Sequence, residues 1–255
     1  KMKVGIMQPY FFPYVGYFQL IASTDLFIFF DVVQYNKKSW MNRNRILHPN
    51  KPDEFQYISV PVVKNEKSIL IKDVAIINNG KWQEKILNQL AVYKKLKAPN
   101  YDETVKLISK IFSKNEDKLL DLSISSIKII CEYVGLNFNY NVASKINFDE
   151  KSIIHPGDWA LEISKNMNAS EYINPEGGYD IFDEGKFILN NVKLSFLKSN
   201  LSPYKQSWRQ NFLSGLSIID ILMFYNKNEL MRLLTDDFKI FTKKELFFDN
   251  KVTTK

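Results

Sequence analysis

Cysteine and histidine are nearly missing from these 255 residues, which carry one of the first and two of the second. A lone cysteine closes no intrachain disulfide and builds no thiolate metal site. Cys131 lies in the apolar stretch Ile129-Ile130-Cys131-Glu132-Tyr133, where a small buried hydrophobe is expected and covalent catalysis is not. His48 precedes Pro49-Asn50 and His155 precedes Pro156-Gly157, each without a partner at metal-ligand spacing, so no metal site is expected. The nine glycines form no Walker or dinucleotide-binding pattern, and no serine sits in a Gly-x-Ser-x-Gly elbow. No stretch rich in Pro, Gly or Ser divides the chain, and there is no internal repeat. No apolar run reaches membrane-spanning length and no leader pattern is seen, which predicts a cytoplasmic protein with no membrane insertion.

What is present argues for a packed core. Apolar residues make up 45% and charged residues 25%, which suits a soluble α/β protein. The length fits one domain over residues 1–255 that carries an insertion. Aromatics reach 14%, enough to serve both a core and a ligand pocket. The net charge of +7 is mostly lysine spread along the chain, which reflects either codon usage or an anionic small-molecule partner. No segment resembles a nucleic-acid-binding motif, so no nucleic acid is expected as a partner.

Hydrophobic patterning predicts the architecture. Lys3-Val4-Gly5-Ile6-Met7 and residues 26–30 read as buried strands joined by a helix over residues 14–22, a βαβ unit and hence a parallel sheet. Residues 55–62 and 69–77 alternate and predict an antiparallel hairpin over 55–77. Residues 82–96, 101–112 and 117–133 have helical spacing and form a helical insertion at about 81–136. Strands at 138–143, 171–173 and 192–197, with helices at 159–166, 216–224 and 228–234, complete the chain. The expected fold is a doubly wound, mainly parallel, Rossmann-like sheet with an appended β-hairpin and a helical insertion.

Ligands of such sheets bind beyond the carboxyl ends of strands. The first strand ends in Gln8-Pro9-Tyr10-Phe11-Phe12-Pro13-Tyr14-Val15-Gly16-Tyr17, where Gly16 in the first helical turn lets an anion approach free backbone N–H groups. The second ends in Asp31-Val32-Val33-Gln34-Tyr35, followed by Lys38, Trp40, Asn42, Arg43, Asn44 and Arg45. Arginine forks match phosphate or carboxylate oxygens, and asparagine reads hydroxyls or amides. In the second half, Asn174-Pro175-Glu176-Gly177-Gly178 is a turn-rich loop after a short strand, and Tyr204-Lys205-Gln206-Ser207-Trp208-Arg209-Gln210 is polar, basic and aromatic. Substrate-binding candidates are Gln8, Tyr10, Tyr14, Gly16, Gln34, Lys38, Trp40, Asn42, Arg43, Asn44, Arg45, Asn174, Gly177, Gly178 and Gln206. Asp31 or Glu176 is the candidate base.

The segment from Gln8 to Ile21 resembles the opening signature of the WbqC-like family, proteins of bacterial O-antigen and related surface-glycan gene clusters. Asp31-Val32-Val33-Gln34-Tyr35, Trp40-Met41-Asn42-Arg43-Asn44-Arg45-Ile46, Ser59-Val60-Pro61-Val62, Tyr93-Lys94-Lys95-Leu96-Lys97-Ala98-Pro99, Asn174-Pro175-Glu176-Gly177-Gly178 and Leu216-Ser217-Ile218-Ile219-Asp220 follow in the family's pattern. The resemblance implies a transferase of glycan precursor assembly, passing an acyl or aminoacyl group to a nucleotide-linked amino sugar. Its partners would be a nucleotide-sugar or other phosphate-bearing small molecule and an acyl or aminoacyl carrier, and it implies no particular cofactor. Tyr14-Val15-Gly16-Tyr17 also resembles the H-x-G-H segment of nucleotidyltransferases with both histidines replaced. There Tyr17, the third catalytic candidate, supplies a hydroxyl but no imidazolium. A nucleotidyltransferase-like enzyme and a non-catalytic binding subunit of a glycan assembly complex stay open as alternatives.

Overall fold

Val4, Gly5 and Ile6 are apolar in succession because both faces of their strand are covered. They form β1 (Lys3–Met7), which lies between β2 (Leu26–Phe29) and β6 (Glu171–Pro175) in the interior of a six-stranded sheet. The computed structural model describes residues 1–64, 68–206 and 211–253. Between β1 and β2 runs α1 (Val15–Ser23), and after β2 come β3 (Arg43–Leu47) and β4 (Phe55–Ser59). Four helices follow: α2 (Lys81–Gln89), α3 (Ala91–Lys95), α4 (Tyr101–Phe112) and α5 (Leu119–Val134). The chain then forms β5 (Tyr140–Val142), α6 (Asp158–Asn166), β6, α7 (Glu184–Leu189) and β7 (Lys193–Ser199). It closes with α8 (Ile218–Phe224), α9 (Lys227–Thr235), β8 (Phe238–Thr242) and α10 (Lys243–Thr253).

The strand order is β5-β2-β1-β6-β7-β8, parallel except for the antiparallel β7–β8 pair. The chain builds outward from β1 through β2 to β5, then returns to lay β6, β7 and β8 on the other side. That reversal makes the gap between the carboxyl ends of β1 and β6 the topological switch point. Side chains alternate between two cores. Phe27 and Phe29 pack on the face carrying α1, α5 and α9, while Ile28 and Tyr172 pack on the face carrying α6 and α7. The sheet is therefore doubly wound, as the sequence predicts.

The hairpin is real but sits earlier in the chain. β4 pairs with β3, in a register that sets Arg45 opposite Tyr57 and Leu47 opposite Phe55. The downstream partner expected at 69–77 instead contains a short 3-10 turn at Ile71–Asp73, and among the described residues it makes isolated antiparallel bridges from Leu70 to Gln34, Ala75 to Lys118 and Ile76 to Val62. The turn expected at 64–67 lies mostly outside the described residues. Asn42-Arg43-Asn44-Arg45 has no apolar alternation, yet Arg43–Leu47 is a strand because it pairs with Phe55–Ser59 further along the chain. Asn44 is buried, and the arginines stack on aromatic rings. The elements α7, β8 and α10 are also unanticipated.

Candidate functional site

A cavity of about 1100 Å³ opens at the switch point. Ile6, Met7 and Gln8 line it from the end of β1, Phe30 from the end of β2, and Tyr172, Asn174 and Pro175 from β6. Tyr10, Tyr14, Gln34, Trp40, Asn44, Arg45, Gly177 and Gly178 also line it, so the segments after β1 and β2 face one space as expected. No carboxylate is among the described residues that line it.

The loop after β1 is held from several directions. Phe12 has φ 42°, a left-handed backbone rarely adopted by an aromatic residue. Its carbonyl accepts from Asn44 Nδ2 at 2.9 Å and Ser217 Oγ at 2.7 Å, and the Phe11 carbonyl accepts from Asn44 Nδ2 at 3.0 Å. Phe11 N–H donates to the Trp40 carbonyl at 2.9 Å. Asn44 thus ties the two loops together while forming part of the cavity wall. Burial raises the Tyr10 hydroxyl pKa and, with Tyr10 and Glu176 nearby, lifts Tyr14 to about 12, so both remain protonated donors.

None of the three residues expected to do chemistry lines the cavity. Tyr17 is fully buried, and its hydroxyl donates to the Gln8 carbonyl at 2.9 Å. Asp31 is also fully buried; its carboxylate accepts from Ser144 N–H at 2.9 Å and Ser144 Oγ at 2.6 Å. Glu176 is partly exposed, with Lys198 Nζ 3.8 Å from its carboxylate. Gly16 is not a phosphate approach point either. A side chain there would strike the ring of Tyr14, which already covers that helical turn.

The remaining binding candidates divide. Lys38 is exposed outside the cavity lining. Asn42 donates to the Val60 carbonyl at 3.1 Å, linking the β3–β4 hairpin. Gln206 is buried in a network around Asp220, donating to its carboxylate at 2.9 Å. Residues 207–210 of that segment lie outside the described residues. Arg43 stands beside the cavity on β3, its guanidinium 4.4 Å from the Tyr57 ring centroid. Asn174 accepts from the Tyr172 hydroxyl at 2.7 Å, and Gly178 is required because a side chain would collide with the Asn174 amide.

His155 and Trp159 also line the cavity, together with Ile154, Pro156, Ile181 and Phe182, and sequence reasoning overlooked them. Asp158 at the start of α6 accepts from Ile154 N–H at 3.1 Å and His155 N–H at 2.8 Å. Its other oxygen holds Lys186 Nζ at 2.7 Å, and this bond, ahead of the backbone bonds, keeps the carboxyl below its usual pKa. His155 Nδ1 accepts from Gly157 N–H at 3.2 Å, which leaves Nε2 as the protonated nitrogen of the neutral ring. The signal was His-Pro-Gly-Asp directly before a helix: in a parallel sheet, the residues that start a crossover helix lie at the carboxyl edge.

Among the described residues, no helix is long and apolar enough to cross a membrane. Comparison with known proteins agrees with the opening motif. The chain is 28% identical over 229 residues to the uncharacterized protein Rv1507c of Mycobacterium tuberculosis, covering 86% of this chain and 92% of that one. No solved structure matches the chain. The WbqC-like protein family model matches residues 8–232, from Gln8 at the cavity wall to Arg232 in α9, and the chain belongs to that family.

Proposed function

We propose that the protein is a transferase of surface-polysaccharide precursor assembly, moving an acyl or aminoacyl group from a carrier thioester to the amine of a nucleotide-linked amino sugar. The observation that carries this reading is the composition of the cavity. Arg45 lies on one flank and His155 on the other, with apolar surface from Phe30, Trp159, Ile181 and Phe182 and no carboxylate among the described lining.

The apolar part suits an acyl chain, and the amide side chains of Gln8, Gln34 and Asn174 suit sugar hydroxyls. Amide formation builds a C–N bond and breaks a C–S bond, and the proton lost by the amine leaves with the thiolate. A neutral amine attacks without a carboxylate base. What the step needs is a donor to the carbonyl oxygen as charge develops there, and His155 Nε2–H is of that type. Nucleotidyl transfer loses support, because Tyr17 is buried with its hydroxyl engaged.

The test incubates the purified protein with nucleotide-linked amino sugars and acyl thioesters and follows the sugar by mass spectrometry. A mass increase by one acyl group is expected, and His155→Ala should lower kcat by about 10²–10³. Binding of the sugar nucleotide with no product from any donor would instead favour the binding-subunit alternative.

A further inference from the structure

The sequence places the substrate anion at the start of α1, but Tyr14 covers that turn. The structure offers a different place. On the β3–β4 hairpin, Asn44, Ile46 and Ile58 point inward and are buried, while Arg43, Arg45, Phe55 and Tyr57 form the opposite, partly exposed face. Strand alternation puts the two arginines side by side on this face. The Arg45 guanidinium lies 4.7 Å from the Trp40 centroid and 4.3 Å from the Phe55 centroid. Arg43 and Arg45 both lie within 5.9 Å of the Tyr57 centroid.

An arginine is ordinarily partnered by a carboxylate. Here neither forms an ion pair among the described residues, and the Nε of each is buried with no hydrogen-bond partner. Stacking on rings holds the guanidinium planes while leaving their N–H edges for a ligand. Two adjacent guanidiniums with no counter-charge call for a ligand with at least two negative charges. The aromatic walls call for a planar group that stacks. Arg45 and Trp40 also line the cavity, so the face continues into it.

We infer that this hairpin face is a nucleoside diphosphate subsite, with Arg43 and Arg45 on the two phosphates and, as the stacking surface for the base, the faces of Trp40, Phe55 and Tyr57 that the guanidiniums leave open. This rests on the transferase reading for what lies deeper in the cavity and orients the substrate there: nucleotide on the hairpin, sugar at the switch point, acyl group against Trp159 and Phe182.

Calorimetric titration of the full chain with uridine diphosphate and guanosine diphosphate, against uridine and inorganic pyrophosphate, tests the subsite. Both nucleoside diphosphates are expected to bind at least about tenfold tighter than either fragment. Arg45→Ala and Arg43→Ala should each weaken binding by about tenfold or more. Arg45→Lys keeps the charge but not the stacked fork, and serves if the alanine variant unfolds; it too should weaken binding. Trp40→Phe should retain binding and Trp40→Ala should not. Equal affinity in wild type and a folded arginine variant would overturn the subsite, and pyrophosphate binding as tightly as the nucleotides would overturn the stacking surface. Nucleotide binding without acyl transfer leaves this inference standing while removing the transferase reading. Acyl transfer to a sugar phosphate as fast as to the nucleotide sugar does the reverse.

Discussion

Asn44 on β3 donates its side-chain amide to the carbonyl of Phe12 at 2.9 Å, joining the hairpin to the loop that leaves the first strand. The same nitrogen holds the Phe11 carbonyl, and both acceptors are buried. Phe12 keeps its left-handed backbone because this amide and Ser217 over-determine it. Asn44→Ala leaves two buried carbonyls short of a donor and should destabilise the fold by about 1–3 kcal/mol, read from the urea midpoint. Asn44→Asp removes the donor and adds charge, so it should be at least as costly. A variant as stable as wild type would show that the loop holds itself.

A second buried knot joins the helical insertion to the end of the chain. Tyr93 of α3 donates to Asp220 Oδ1 at 2.8 Å, and Tyr204 and Gln206 hold the other oxygen. Burial, with Asp220 adjacent, pushes the Tyr93 hydroxyl well above its ordinary pKa, so it stays a donor at any working pH. Tyr93→Phe should cost about 1–3 kcal/mol, as for a hydrogen bond to a carboxylate. Tyr204→Phe acts on the same carboxylate, so the two losses should not add in a double-mutant cycle. Strict additivity would mean that the two hydroxyls act independently.

The sheet was legible in the sequence because a strand buried on both faces is written as a continuous apolar run, and Lys3–Met7 and Leu26–Phe29 are such runs. The convergence of Gln8, Tyr14, Gln34, Asn44 and Arg45 followed from the rule for carboxyl ends of parallel strands. The roles of single residues were not legible. Asp31 follows β2 and Tyr17 lies in the first turn of α1, but both turn into the protein, and their partners, Ser144 and the Gln8 carbonyl, are set by packing. Strand β3 was hidden because its arginines stack on rings and its buried asparagine bonds to a distant loop, neither of which shows in the local sequence. His155 was weighed only as a metal ligand and set aside, although its place before α6 was the informative feature.

Acid should reveal how His155 is positioned. The carboxyl of Asp158 titrates below its ordinary value, chiefly through the Lys186 hydrogen bond. A depressed folded pKa gives stability that is present above the unfolded value and is lost as pH falls through the folded one. Asp158→Asn should therefore be less stable than wild type at pH 7, and the gap should begin to narrow as pH falls below about 4, the ordinary aspartate range, and close below the depressed folded value. Thermal melts of both proteins from pH 7 down through the acid range check this. A gap that does not narrow below about pH 4 would assign the effect to shape and not to charge.

Asp31 separates support from chemistry. Both carboxylate oxygens accept from Ser144, and its backbone carbonyl accepts from Lys72 N–H, so the residue fastens the end of β2 to the segment after β5. Asp31→Ala removes both acceptor oxygens and leaves the Ser144 N–H and hydroxyl without their partner. The loss of a buried, charge-assisted hydrogen bond should cost about 1.5–3 kcal/mol. The cavity lining is untouched by the change, so affinity for a nucleoside diphosphate should stay within about threefold of wild type, or about 0.6 kcal/mol. Stability by urea denaturation and affinity by calorimetry, measured on one preparation, give both quantities. Affinity falling by tenfold or more in a protein that remains folded would return Asp31 to the ligand site. Stability lost with affinity kept makes it a fastening whose charge never meets the substrate.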